Sequence, residues 1–140
     1  MKSPVFIDTG YILALVNTAD EYHERASAVS RQIMPPFFTT EAVLMEIGNA
    51  LSRARWRALG YATIQDLRAD PNIEIVPVDS VLFERALSLY GARMDKEWGL
   101  TDSVSFVVMQ ERNSTQVLST DRHFVQAGFA NLLASSPAST

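Results

Sequence analysis

Four short apolar runs, each separated from the next by helical sequence, set the tightest limit on how this chain can fold. They are Val5-Phe6-Ile7, Phe37-Phe38-Thr39-Thr40, Ile73-Glu74-Ile75-Val76-Pro77-Val78 and Gln116-Val117-Leu118-Ser119. Runs this short, lying between amphipathic stretches, read as buried strands. Strands joined through helices imply right-handed crossovers and a parallel sheet covered on both faces. In such α/β sheets functional groups gather beyond the carboxyl ends of the strands.

The intervening helices follow from periodicity and punctuation. Tyr11 to Val16 reads as one helix, and Asp20 to Ile33 as a longer one with Tyr22, Ala26, Val29 and Ile33 inward, ended by Pro35-Pro36. Thr40 to Leu59 reads as a single helix with Val43, Ile47, Ala50, Leu51 and Ala54 on one face, stopped by Gly60. Tyr61 to Ala69 then forms a short helix closed by Asp70-Pro71. Asp79 or Ser80 caps another running through Tyr90, and Gly91 to Gly99 is a loop. Thr101 or Asp102 caps a helix that is apolar on nearly every side from Val104 to Met109, so it packs on more than one face. A last short helix ends at Ala127, Gly128-Phe129 turns back, and Ser135 to Thr140 reads as a frayed tail. Residues 1–134 are thus expected to be one domain.

The 140 residues are enough to bury a core, and 47% hydrophobic with 20% charged residues excludes a disordered chain. No apolar run approaches the roughly 20 residues needed to cross a bilayer. Met1-Lys2-Ser3-Pro4 leads directly into the first strand without the apolar segment of a signal peptide. With no cysteine there is no disulfide framework, thiolate zinc site or cysteine nucleophile. A reducing cytoplasm is the expected location. The net charge of −4 is unlike the basic surplus of most nucleic-acid binders. If four carboxylates are committed to a metal, −4 plus 4 leaves the rest of the surface near neutral, so a nucleic-acid substrate stays open.

Four acids stand at element junctions: Asp8, Glu46, Asp102 and Asp121. Asp8 and Asp121 lie at or just beyond strand ends, which places them on the same edge of the sheet. Asp8, Asp102 and Asp121 each have a second reading as a helix cap. Glu46 falls about 80° from the centre of the apolar stripe of its helix, at the margin of the core. A charge there is paired, with Arg53 two turns on as one partner, or reaches solvent, or binds a metal. Four carboxylates in one cleft repel unless protonated or neutralised by cations. Oxygen ligands without His or Cys select Mg²⁺ or Mn²⁺ rather than zinc. Such a site holds one ion or two about 4 Å apart, lowers the pKa of a bound water and stabilises charge on a phosphate.

In Phe6-Ile7-Asp8-Thr9-Gly10-Tyr11, Met45-Glu46-Ile47-Gly48-Asn49-Ala50-Leu51, Leu100 to Met109 and Ser119-Thr120-Asp121-Arg122-His123-Phe124, the chain resembles the PIN-domain family, in particular its VapC-like toxin ribonucleases. Order and spacing match from Val5 to Phe129. The resemblance implies a three-layer α/β/α sandwich with a mostly parallel sheet. Its acidic site would be Asp8, Glu46, Asp102 and Asp121. It also implies Mg²⁺- or Mn²⁺-dependent endonucleolytic cleavage of RNA by metal-activated water, a homodimer, and inhibition by a small antitoxin. Thr9 and Ser119 match positions where the family often has a hydroxyl near the metal. Gly10 departs from the family's usual Asn or Ser, and Asn113 stands at a turn where Gly is common but which Asn tolerates.

Arg93, Lys96 and Trp98, in the loop before Asp102, are candidates for RNA contact. Arg53-Ala54-Arg55-Trp56-Arg57 combines cations with an aromatic, which suits a nucleic acid, or a C-terminal helix turn complementing the macrodipole. His23 and His123 lack metal-binding spacing and read as packed or surface polar residues. Two other classes compete with a nuclease. A non-catalytic PIN-like module binding protein or RNA would be expected to have lost an acid. A response-regulator receiver would need an acidic pair after its first strand and a late Lys, where Asp8-Thr9 and Ser119-Thr120 stand. No Gly-rich phosphate loop supports a nucleotide-binding fold.

Overall fold

The computed structural model describes residues 3–133, and the expected tail from Ser135 to Thr140 lies outside them. Along the chain come β1 (Val5–Ile7), α1 (Thr9–Val16), α2 (His23–Ser30), β2 (Phe37–Thr40), α3 (Glu41–Ala50) and α4 (Ala54–Ala69). They are followed by β3 (Ile73–Val76), α5 (Ser80–Ala92), α6 (Leu100–Glu111), β4 (Gln116–Leu118), α7 (His123–Gln126) and β5 (Ala130–Asn131). The strands form one sheet in the order β3-β2-β1-β4-β5, every pair parallel. The central strand β1 is paired on both edges and buried on both faces, which is why its sequence is a continuous apolar run.

From β1 to β2 to β3 the chain steps one way across the sheet, and from β3 to β4 to β5 it steps back. Right-handed crossovers then place α1 to α4 on one face and α5 to α7 on the other. Packing agrees: α1 rests on α2 and α3, and α3 on α4, while α5 packs on α6 and α6 on α7. The fold is the expected three-layer sandwich.

Helix α6 anchors the second layer. Every residue from Ser103 to Met109 is buried. The two serine hydroxyls among them donate to carbonyls four residues back, Ser103 to Gly99 and Ser105 to Thr101, each at 3.1 Å. Phe106 packs edge-on against Trp98 and Phe124, with ring centroids 4.9 and 5.0 Å apart, and Phe6 extends this cluster to Phe38. These contacts fix the start of α6 and the whole of α7 against the sheet.

Several expected boundaries move, for local reasons. The helix expected from Thr40 to Leu59 breaks at Leu51–Arg53, and α4 runs straight through Gly60. A Cβ at Gly60 would stand 3.0 Å from the Leu51 Cβ, so this glycine permits close approach of α3 and α4 rather than stopping a helix. Tyr61 to Ala69 is the second part of α4, and Ala50 and Ala54 are exposed instead of inward. Arg53, Arg55 and Arg57 therefore surround the start of α4, not a helix C-terminus, and the macrodipole does not favour them there. Helix α2 begins only at His23, because Asp20 forms a turn by accepting the Tyr22 N–H at 2.8 Å, which leaves Tyr22 exposed. Asn113 adopts the left-handed geometry expected of it, with φ 53°.

Candidate active site

The two directions of chain travel diverge between β1 and β4, and a crevice opens beyond their carboxyl ends. Register decides what meets there. Ile7 pairs with Leu118, and the Asp8 N–H continues the ladder to the Leu118 carbonyl at 3.0 Å, which sets Asp8 beside Ser119. The Ser119 hydroxyl donates to Asp8 Oδ2 at 2.7 Å and accepts the Asp121 N–H at 2.9 Å. Asp8 occupies the cap position of α1 but makes no side-chain cap hydrogen bond. Its carboxylate is turned to the crevice instead.

Helix α3 brings Glu46 to the same place, where the Thr9 hydroxyl donates to its Oε1 at 2.6 Å. Glu46 thus meets Thr9 rather than the Arg53 that its sequence also allowed. Asp102 is the third residue of α6, and Gly99 holds the cap position expected for Thr101 or Asp102. The carboxylate reaches back to accept the Gly99 N–H at 3.0 Å, satisfying a helix-end donor from inside the first turn. Asp121 accepts the His123 N–H through Oδ1 at 2.9 Å, which starts the turn into α7.

Asp8, Glu46, Asp102 and Asp121 all line one cleft of about 380 Å³. Its described lining contains no Lys or Arg. Asp8 is the deepest, 6% exposed, and its carboxyl is pushed up to about 7. Burial is the main cause, and the nearby charges of Asp102 and Glu46 add to it. Hydrogen bonds from Ser119 and the Thr9 backbone pull the other way.

His123 belongs to this site, although its sequence context suggested only a packed or surface polar residue. Its Nδ1 lies 2.9 Å from Asp102 Oδ2 and 3.3 Å from Asp121 Oδ2. Phe124 is fully buried and holds the adjoining turn in the core. The other histidine, His23, is tied through Nδ1 to the Ala14 carbonyl at 2.8 Å. Sequence spacing could not expose the role of His123, because its partners are 2 and 21 residues away on separate elements. Asn131, on the unexpected strand β5, is the second residue missed. Its Oδ1 accepts the Ser119 N–H at 3.2 Å and its Nδ2 donates to the Ser119 carbonyl at 2.8 Å. The backbone that carries the Ser119 hydroxyl to Asp8 is therefore pinned from β5.

The loop residues divide. Trp98 is buried, packs on Phe106, and donates from Nε1 to Gln126 Oε1 at 3.3 Å. Its ring is committed to the core and is not free to stack a base. Arg93 lies over the indole at 4.8 Å and Lys96 at 5.9 Å, and Arg93 also pairs with Asp95 at 3.0 Å. Both cations are half-buried against the indole, and Met94, Asp95 and Glu97 beside them are exposed.

Four carboxylates that share a cleft with no counter-cation among its lining side chains make a donor set that fits a hard divalent ion. A parallel α/β/α sandwich with acids gathered at its switch point has the architecture of a PIN domain. The chain belongs to the PIN-domain family, whose model matches residues 5–130.

Within that family, the 23S rRNA-specific endonuclease VapC20 of Mycobacterium tuberculosis is 26% identical over 128 residues, covering 91% of this chain and 97% of that protein. The crystal structure of VapC20, described as a sarcin-ricin loop cleaving toxin, superposes with a TM-score of 0.85 at 25% identity, over 91% of this chain and 98% of that one. FitAB bound to an IR36 DNA fragment aligns with a TM-score of 0.70 at 16% identity, over 94% and 97% of the two chains. VapBC2 from Rickettsia felis, bound to promoter DNA, aligns at 0.64 and 10% identity, over 91% and 96%. The last two show the fold alone. Among the described residues no helix is long and apolar enough to cross a membrane.

Proposed function

We propose that this chain is a divalent-metal-dependent endoribonuclease, the toxin of a toxin–antitoxin pair. The observation that carries the reading is the convergence of Asp8, Glu46, Asp102 and Asp121 on one cleft whose described lining has no Lys or Arg, in a fold aligned over nearly its whole length with an RNA-cleaving toxin. These four acids are assigned as the residues that hold Mg²⁺ or Mn²⁺. A bound divalent ion supplies Lewis acidity toward a phosphate and a water acidified toward hydroxide.

The chain's own residues do the positioning. Ser119 fixes one oxygen of Asp8, and Thr9 fixes one of Glu46, so neither carboxylate rotates away from the cleft. Asp102 is held by the Gly99 N–H, and Asp121 by the backbone of the turn it starts. Arg93 and Lys96, braced on the buried Trp98, are assigned to the RNA backbone outside the cleft. A second copy of the chain and a small antitoxin are the protein partners in this reading. Phe83, Leu87 and Tyr90, exposed apolar side chains along α5, support a protein partner.

Purified protein incubated with structured and single-stranded RNAs, beginning with the sarcin–ricin loop of 23S rRNA, tests the proposal. Cutting is expected with Mg²⁺ or Mn²⁺, to vanish in EDTA, and to be lost in Asp8→Asn and Asp102→Asn. Cutting that persists in both variants refutes the carboxylate site. RNA or partner binding without cutting, in folded protein loaded with Mn²⁺, favours a non-catalytic PIN-like module.

A further inference from the structure

We infer that His123 is a direct ligand, through Nδ1, of the cation held in this cleft, together with Asp102 and Asp121. The inference rests on the metal-site reading above and extends it to a nitrogen donor. The three side chains each offer one donor atom, all within 4.8 Å of one another. The separations from Nδ1 are 2.9 Å to Asp102 and 3.3 Å to Asp121. Neighbouring ligands of a six-coordinate ion with bonds of about 2.1 Å lie roughly 3 Å apart, so the nitrogen already stands at ligand spacing from both oxygens.

The ring is not there by chance contact with two acids. Its backbone N–H is bound by Asp121 Oδ1 at 2.9 Å, and the next residue, Phe124, is locked between Phe6 and Phe106. The imidazole is therefore delivered by α7 independently of Asp102, which arrives on α6. Without a cation Nδ1 satisfies the oxygens by donating its proton. With a cation the ring presents the Nδ1 lone pair and carries its proton on Nε2.

An imidazole among carboxylates shifts ion choice. Mg²⁺ is served by oxygen, and an imidazole donor moves a site toward first-row transition ions, so this site favours Mn²⁺ over Mg²⁺ more than a purely carboxylate site would. Pulsed electron spin resonance on the full chain loaded with one equivalent of Mn²⁺ reads the nitrogen directly. The expected result is ¹⁴N modulation from a coordinated imidazole that changes to the ¹⁵N pattern when histidine is ¹⁵N-labelled. It is lost in His123→Gln and retained in His23→Gln. Titration of His123→Gln is expected to show Mn²⁺ affinity down about tenfold and Mg²⁺ affinity down by a much smaller factor.

Stoichiometric Mn²⁺ without nitrogen coupling in the wild type overturns the inference and leaves the acidic site standing, with His123 as a hydrogen-bond partner of Asp102. Equal losses of affinity for both ions in His123→Gln overturn the claim on ion choice. A wild type that binds no Mn²⁺ overturns both the inference and the metal-site reading beneath it.

Discussion

Asp8→Asn, the variant that should abolish metal-dependent cleavage, is also expected to stabilise the metal-free protein at alkaline pH. Asp8 is 6% exposed, and its carboxyl is held at about 7 against an ordinary 3.8. Between those two values the folded chain keeps a proton that the unfolded chain has released. Stability on this account is fully present below about pH 3.8 and falls as pH rises through about 7. Each pH unit of that interval corresponds to about 1.4 kcal/mol. The ionised carboxylate thus costs at most about 4 kcal/mol, and about 2 kcal/mol once relaxation and water entry into the open cleft are allowed for.

Asparagine is near-isosteric and neutral, and it can still accept the Ser119 hydroxyl. At pH 5 folded wild type keeps the Asp8 proton and only its unfolded chain has lost it, so the variant should be the more stable by at most about 1.7 kcal/mol. At pH 8 the variant should be more stable by about 2–4 kcal/mol, worth roughly 3–4 °C in Tm per kcal/mol for a chain of this length. Thermal or urea unfolding followed by circular dichroism, in EDTA at both pH values, measures the difference and cancels every other titrating group. A variant no more stable than wild type at pH 8 than it is at pH 5 would refute the account of Asp8 as a carboxylate strained by burial. Adding Mn²⁺ at pH 8 should then stabilise wild type and leave the variant nearly unmoved.

Four further substitutions separate structural from functional roles. Asn131→Ala strips partners from the Ser119 N–H and carbonyl, and should cost about 2–3 kcal/mol in urea unfolding while Mn²⁺ affinity also falls; unchanged Mn²⁺ affinity would disconnect β5 from the site. Gly10→Ala places a Cβ 1.9 Å from the Thr120 hydroxyl, and should cost about 1–3 kcal/mol, most of it recovered by adding Thr120→Ala; a double variant as unstable as the single would show that the strain lies elsewhere. Trp98→Ala should lose about 3–5 kcal/mol because the indole is core. Arg93→Ala, at a surface cation, should leave Tm within a few degrees and reduce RNA binding in a salt-dependent way.

The layers, the first four strands and the convergence of the acids were legible because each depends on short-range pattern plus one topological rule. Continuous apolar runs announce strands buried on both faces, and right-handed crossovers put Asp8 and Asp121 on one edge. What was not legible depends on a neighbour distant in sequence. Gly60 carries no local sign that Leu51 passes within 3.0 Å, so it read as a stop and the α3–α4 break was lost. Strand β5 has two residues and no period to detect. Trp98 read as a candidate for RNA contact beside Arg93 and Lys96 because nothing in the loop announces Phe106 beneath it. The contacts of His123 were not legible because spacing is sought within one element, whereas Asp102 lies on α6 and Asp121 just beyond β4.

Each acid of the cleft has a neutral donor, Ser119 for Asp8, Thr9 for Glu46, and backbone N–H groups for Asp102 and Asp121, the last two acids also standing beside His123 Nδ1. Neutral donors orient carboxylates without cancelling their charge. The loop cations do not cancel it either, since Arg93 is paired with Asp95 and Lys96 leans on Trp98. An RNA phosphate brings further negative charge to this cleft, so a cation that binds there must improve RNA affinity. By reciprocity RNA must improve cation affinity by the same factor. The chain therefore spends folding energy on uncompensated charge, most of it at Asp8, and a divalent ion confined to the folded state restores it. Cation, substrate and fold are then three terms of one linkage, and a change that relieves the cleft of charge, as Asp8→Asn does, should weaken all the couplings together while the fold itself becomes firmer.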